Sequence, residues 1–194
     1  MIAFLRGKFV HKSPASVQVD VNGVGYELQI SLHTYTHIQQ MEEGLLHTHL
    51  QFREDGQTLY GFADTQEKEM FIQLISVSGV GASTARMMLS SLKPGEIAQA
   101  IARGDAKQLE MVKGIGKKSA ERIILELKDK MAKWTPSANI PALIHNSLEQ
   151  DALNALIALG IPRSGAEQAV KKVMKANENL NQVEDIIKNA LKML

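Results

Sequence analysis

Val77-Ser78-Gly79-Val80-Gly81-Ala82-Ser83-Thr84-Ala85 and Val112-Lys113-Gly114-Ile115-Gly116-Lys117-Lys118-Ser119-Ala120 are two copies of one pattern, offset by 35 residues. The register extends on both sides. Leu74 matches Leu109, and Met88-Leu89 matches Ile123-Ile124. Each copy reads apolar-x-Gly-apolar-Gly-x-x-x-Ala between two stretches of helical period. So short a connection between helices needs backbone angles that glycine tolerates. The apolar residue between the glycines can plug the gap between the helices. The missing Cβ atoms let a phosphate approach the backbone, and the second helix begins there, with free N–H groups and the positive end of its dipole facing that phosphate. The alanine permits close helix packing. One copy alone reads equally well as a helical hairpin with a glycine C-cap. Two copies in phase point to paired helix-hairpin-helix units that grip backbone phosphate and carry no base information.

Outward from the repeat, the grammar changes on both sides. Residues 1–63 read as β. Ser16–Val21 alternates strictly, Asn22-Gly23 is a type I′ turn signal, and Val24–Ile30 returns as the partner strand. Met1–Val10 is extended, a less regular stretch follows Ile30, and Leu46–Phe52 with Thr58–Phe62 flanks a turn at Glu54-Asp55-Gly56-Gln57. Five short strands with tight turns predict a small barrel. At Asp64-x-x-Glu67 a capping-box pattern starts helices that run to Trp134, with breaks at Pro94-Gly95 and Gly104-Asp105 besides the two glycine turns. Residues 135–146 contain Pro136 and Pro141 and read as a linker. Residues 147–194 give three helices, near 148–159, 163–175 and 181–193, with Gly160 and Asn177 as stop signals. The expectation is an α+β chain: barrel (1–63), all-α tandem helix-hairpin-helix domain (64–134), linker (135–146) and three-helix bundle (147–194).

Composition narrows the function classes. The chain has 194 residues, 44% hydrophobic, and no cysteine, which excludes disulfides and thiolate metal sites. The apolar run in Met1–Gly7 is too short for a signal peptide, and no stretch approaches the roughly 20 apolar residues of a membrane span. A cytoplasmic protein with no membrane partner is expected. The net charge of +1 is low for a DNA binder, but it is unevenly spread. Residues 1–63 carry 4 Lys/Arg against 6 Asp/Glu, residues 64–134 carry 12 against 9, and residues 135–194 carry 6 against 6. Any electrostatic footprint therefore lies in the middle.

The phosphate-binding candidates are Gly79, Val80, Gly81, Ser83 and Thr84 in the first hairpin, and Gly114, Ile115, Gly116, Lys117, Lys118 and Arg122 in the second. Lys118 and Arg122 stand at i, i+4, as a phosphate-facing pair would; a solvated face with Lys117–Glu121 and Arg122–Glu126 pairs fits the same spacing. Gly114–Ser119 is not a nucleotide-binding P-loop, because Met111 and Lys118 occupy positions that motif needs as Gly and Ser/Thr. His47 with His49, and His33 with His37, pair on one face of a strand and of a helix, without a convincing third ligand, so no metal and no cofactor is expected. Two other functions fit parts of the pattern: a helix-hairpin-helix repair enzyme, glycosylase or nuclease, and a single-strand binder using the barrel. The first lacks catalytic carboxylates with support around Asp129 and Lys130. The second suits neither the barrel's charge nor its few aromatics. In the bundle, Leu156, Leu159 and Ile161 beside the Gly160-Ile161-Pro162 turn are the candidates for an exposed partner surface, with ordinary core as the alternative.

These residues resemble the RuvA family of bacterial Holliday-junction proteins. The likeness is carried by Met1–Gly7, Val21–Tyr26, Leu59–Phe62, Gly79–Leu89, Gly114–Ile123, Leu127–Lys130, Ala155–Ile161 and Ala166–Val170, and it spans the whole chain. It implies an OB-fold barrel, a tandem helix-hairpin-helix domain and a mobile three-helix domain. It implies a homotetramer, single or stacked as two, that holds four-way junction DNA in an open square. It also implies recruitment of the hexameric RuvB ATPase through the C-terminal bundle, with the RuvC resolvase as a further partner and no catalysis in this chain. The family's acidic pin falls on Glu54 and Asp55, where carboxylates gathered in a tetramer would repel phosphates and disfavour a continuous duplex across the centre. One departure is Ala82-Ser83-Thr84, where some relatives carry a lysine. That hairpin must rely on amides and hydroxyls.

Overall fold

A computed structural model describes residues 1–54, 56–132, 134, 148–176 and 182–193. The chain divides into two units, Met1–Ala138 and Asn139–Leu194.

In the first unit, strands β1 (Phe4–Lys12), β2 (Ser16–Val21), β3 (Val24–Ile30), β4 (Glu43–Arg53) and β5 (Gly56–Phe62) close a barrel in the order β1-β2-β3-β5-β4. All pairings are antiparallel except β3 with β5. The barrel is an OB-fold. Alternation along β2 buries Val17 and Val19 completely against Leu28, Ile30 and Leu46, which is the reason these β-branched segments pair in this register. Asn22 and Gly23 take φ of 53° and 86°, as the type I′ turn requires. The irregular stretch after β3 holds a helix that strand periodicity did not announce, α1 (Leu32–Ile38), with Ser31 accepting from the Thr34 N–H at 3.1 Å. The β4–β5 ladder pairs Arg53 with Gly56, so the hairpin is tighter than its sequence suggested and Glu54 stands exposed at its tip. Asp55 lies outside the described residues.

The helices that follow are α2 (Thr65–Ile75), α3 (Ala82–Ser91), α4 (Pro94–Arg103), α5 (Ala106–Glu110) and α6 (Lys117–Ala132). The helices do break beside Pro94-Gly95, between Ser91 and Pro94, and Pro94 opens α4; proline fits the first helical position, where its missing N–H costs nothing. Gly104 does end α4, in the left-handed region at φ 73°, and Asp105 caps α5 by accepting from Gln108 N–H at 3.1 Å. Met70, Phe71, Leu74, Met88, Leu89, Ile97, Ile101, Leu109, Ile123 and Leu127 form the helical core, and Tyr60 and Phe62 of β5 join it. Phe71 meets the rings of Tyr60 and Phe62 at 5.0 Å, so barrel and helices share one apolar seam.

The capping box at Asp64 forms by half. Asp64 accepts from Glu67 N–H at 2.8 Å, but the Glu67 side chain turns inward. It is completely buried and accepts from the Ser31 and Thr34 hydroxyls and from Ala63 N–H. Burial pushes its carboxyl above the ordinary value, against those hydrogen bonds.

The second unit is α7 (Leu148–Ala158), α8 (Arg163–Ala176) and α9 (Val183–Leu191), packed around Leu153, Leu156, Val170, Val173 and Ile186. The expected linker, residues 135–146, and Asn177 lie outside the described residues. Among the described residues no helix is long and apolar enough to cross a membrane.

Candidate nucleic-acid interface

The two glycine turns adopt one geometry. In the first, Val77 N–H reaches Leu74 O at 3.1 Å, Val80 N–H reaches Val77 O at 3.0 Å, and Ala85 N–H reaches Gly81 O at 2.9 Å. In the second, Val112 to Leu109 spans 3.1 Å, Ile115 to Val112 spans 3.0 Å, and Ala120 to Gly116 spans 3.0 Å. The sequence repeat is thus a backbone repeat, bond for bond. Gly79 and Gly114 sit at φ of 86° and 93°, where a side chain would be strained. Gly81 and Gly116 do not: neither has a positive φ, and a Cβ at either would meet nothing within 4 Å. The strain therefore belongs to the first glycine of each turn. The second is open space at a helix start, where a phosphate would sit.

Val80 and Ile115 are buried to 6% and 5% exposure. They are the plugs, so only their main chains can meet a ligand. Ala85 and Ala120 are completely buried, as close packing of the two helices demands. Gly81 caps α3 without any side-chain hydrogen bond, which leaves that helix start to water or a ligand. Ser83 is exposed and Thr84 half-buried. Lys117, Lys118 and Arg122 are exposed.

A groove of about 360 Å³ joins the hairpins, lined by Ser78, Gly79, Lys118, Ser119, Glu121 and Arg122. Arg122 Nη1 donates to Ser78 O at 3.2 Å, and its Nε lies 4.0 Å from Glu126. The predicted Arg122–Glu126 contact therefore coexists with a contact to the other hairpin. Lys113 was not among the residues singled out in the sequence, yet it is exposed beside Gly114. Aligning it with Ser78 at the 35-residue offset would have found it, since Ser78, the residue before the first glycine of its own turn, lines the groove.

His49 meets the Phe71 ring edge-on at 5.7 Å, and burial pushes both His47 and His49 down, with the Lys68 charge adding to it. His33 pairs with Asp64 at 3.7 Å; that ion-pair contact holds the imidazole up and the carboxyl down. Among the described residues no group of three or more His, Asp or Glu gathers to hold a metal.

In the bundle one expectation is corrected. Leu156 is completely buried, on the inward stripe of α7 with Ala152 and Leu153, because so small a bundle needs its leucines for core. Ile161 is half-buried against the same core. Leu159 is 63% exposed. The turn holds it there: Gly160 takes φ 90°, and Ile161 N–H returns to Leu156 O at 3.1 Å.

The RuvA N terminal domain matches residues 1–61, the SAM-like helix-hairpin-helix tandem residues 71–129, and the RuvA C-terminal domain residues 147–194. The Holliday junction branch migration complex subunit RuvA of Cytophaga hutchinsonii is 48% identical, with all of both chains covered. That of Christiangramia forsetii is 48% identical and that of Bacteroides fragilis 41%, again over the full length of each. With every part of its sequence accounted for in the same order, the chain belongs to the RuvA family.

Proposed function

We propose that this protein is a structure-specific DNA-binding scaffold that holds Holliday junctions for branch migration in recombination and repair. The observation that carries the reading is the pair of glycine turns with matching backbone hydrogen bonds, each opening a helix at an unobstructed glycine. Two such clamps grip backbone phosphates by amides and need little net charge, which fits a chain of net charge +1.

The chain acts as a homotetramer that keeps the junction open and square, and it supplies no catalysis itself. Glu54, with Asp55 next to it in sequence, forms the acidic pin at the hairpin tip; gathered fourfold, these carboxylates repel phosphate and disfavour a duplex that runs across the centre. The C-terminal bundle recruits the RuvB ATPase, with Leu159 as the exposed apolar contact, and RuvC is a further partner on the same junction. The work is done in the cytoplasm.

A competition binding assay on the full chain tests this. A synthetic four-way junction should bind about tenfold or more tighter than linear duplex of equal length, and both should weaken with salt as counterions are released. Equal affinity for the two DNAs refutes the scaffold reading. The double change Glu54→Gln with Asp55→Asn should raise duplex affinity more than junction affinity, since only the duplex must pass the pin.

A further inference from the structure

The first hairpin has no cation where the second has two. Ala82-Ser83-Thr84 stands at the positions of Lys117-Lys118-Ser119. Yet a guanidinium lies over the first turn. Arg122, on α6 of the second hairpin, donates from Nη1 to the Ser78 carbonyl at 3.2 Å. A Cβ on Gly79 would stand 3.8 Å from the same nitrogen. The arginine is held from its own helix by Glu126, 4.0 Å from Nε, while its side chain remains 54% exposed. By inventory a guanidinium has five N–H donors. One is engaged by Ser78 and one faces Glu126, which leaves three for a ligand.

We infer that Arg122 serves the phosphate clamp of the first hairpin, not that of its own: it brings across the repeat the positive charge that Ala82-Ser83-Thr84 lacks. This rests on the phosphate-clamp reading proposed above. The planar fork suits the task, because it can hold a carbonyl with one edge and present the rest to an anion. A lysine at this position would be a point charge with no fixed direction. The contact also links the two turns across the groove, on top of the apolar core that both hairpins share. Arg122 thereby becomes a residue whose loss is felt one repeat away.

A double-mutant cycle on the full chain, read as affinity for a synthetic four-way junction, tests the assignment. Arg122→Gln alone should weaken binding about fivefold and lower the slope of log affinity against log salt by about one unit. In a Gly81→Val background its effect should shrink below about twofold, because the clamp it serves is already blocked. In a Gly116→Val background it should persist in full. Thermal melting checks that each variant is folded. Where Arg122→Gln fails to fold, Arg122→Lys replaces it in the same cycle: the salt slope should stay near the parent's, affinity should still fall, and that fall should vanish only with Gly81→Val. The reverse coupling, with the effect lost beside Gly116→Val and kept beside Gly81→Val, overturns the inference and returns Arg122 to its own hairpin. Parent-like affinity and salt slope in Arg122→Gln also overturn it. If neither glycine variant weakens binding, the phosphate-clamp reading falls and takes the inference with it.

Discussion

The two hairpins share a backbone and its buried packing residues and differ in the polar side chains around them. The first is docked. Arg86 on α3 donates to Ala15 O at 3.0 Å and to Gln29 at 2.5 Å, Ser90 accepts from Leu32 N–H at 3.0 Å, and α2 sends Glu67 into the barrel side. The second projects. At the 35-residue offset Arg86 becomes Glu121 and Ser90 becomes Leu125, which is 83% exposed. The lysines lie there too. A duplicated motif has thus divided its work: one copy fixes the hairpins to the barrel and its acidic tip, and the other presents charge. Identical turns do not make identical sites, because a turn fixes amide directions while its flanking side chains determine attachment and charge.

The largest effect should come from the docking. Glu67→Ala leaves the Ser31 and Thr34 hydroxyls without their buried acceptor, while the Ala63 amide keeps Thr34 Oγ1 at 3.0 Å, at a cost of roughly 3 kcal/mol. Thermal melting should show a clear drop. A parent-like melting temperature would mean the first hairpin is held by its apolar seam and the Arg86 and Ser90 contacts without Glu67, and the contrast between docked and projecting copies would lose its buried anchor.

Next come the glycines. Gly116→Val should reduce junction binding about thirtyfold without loss of fold, since a Cβ there meets only the ligand's space. Gly81→Val should cost less, about fivefold, because fewer charges surround that site. A larger loss at Gly81 would invert the comparison and make the docked hairpin the stronger clamp.

Lys118→Ala should cost about 1 kcal/mol of junction affinity, and its counterpart Ser83→Ala roughly half that. The salt slope should fall for the lysine variant only. Equal slopes in fluorescence titrations at several salt concentrations would show that Lys118 faces solvent and not phosphate.

The smallest effect concerns the His33–Asp64 pair at the foot of the docked hairpin. The raised His33 contributes fully below the ordinary value of 6.5, and its contribution is lost as pH rises through its folded value. The lowered Asp64 contributes above its ordinary 3.8, and that is lost as pH falls through its folded value. The pair therefore helps most between those limits, by less than about 1 kcal/mol given its partial exposure to solvent. His33→Asn should melt closer to the parent at pH 8 than at pH 5.5. A constant gap between the two melting curves across that range would remove the pair from the docking.

Much of this was legible in sequence because it is local. The 35-residue repeat, the Asn22-Gly23 turn and the alternation of Ser16–Val21 each follow from rules that act over a few residues. They set the strands, the helices, both glycine turns and the plugs Val80 and Ile115. Three things depended on which surfaces meet. Glu67 reads as half of a capping box, and only the approach of α1 gives its carboxylate the Ser31 and Thr34 hydroxyls. Leu156 reads as a candidate contact, and only the closure of three helices buries it. Arg122 reads as a partner of Lys118, and only the packing of one hairpin against the other carries its guanidinium to Ser78, 44 positions away. Period and turn chemistry fix what a segment becomes. Where a long polar side chain finds its partner is decided by the distances between segments, which no local pattern encodes.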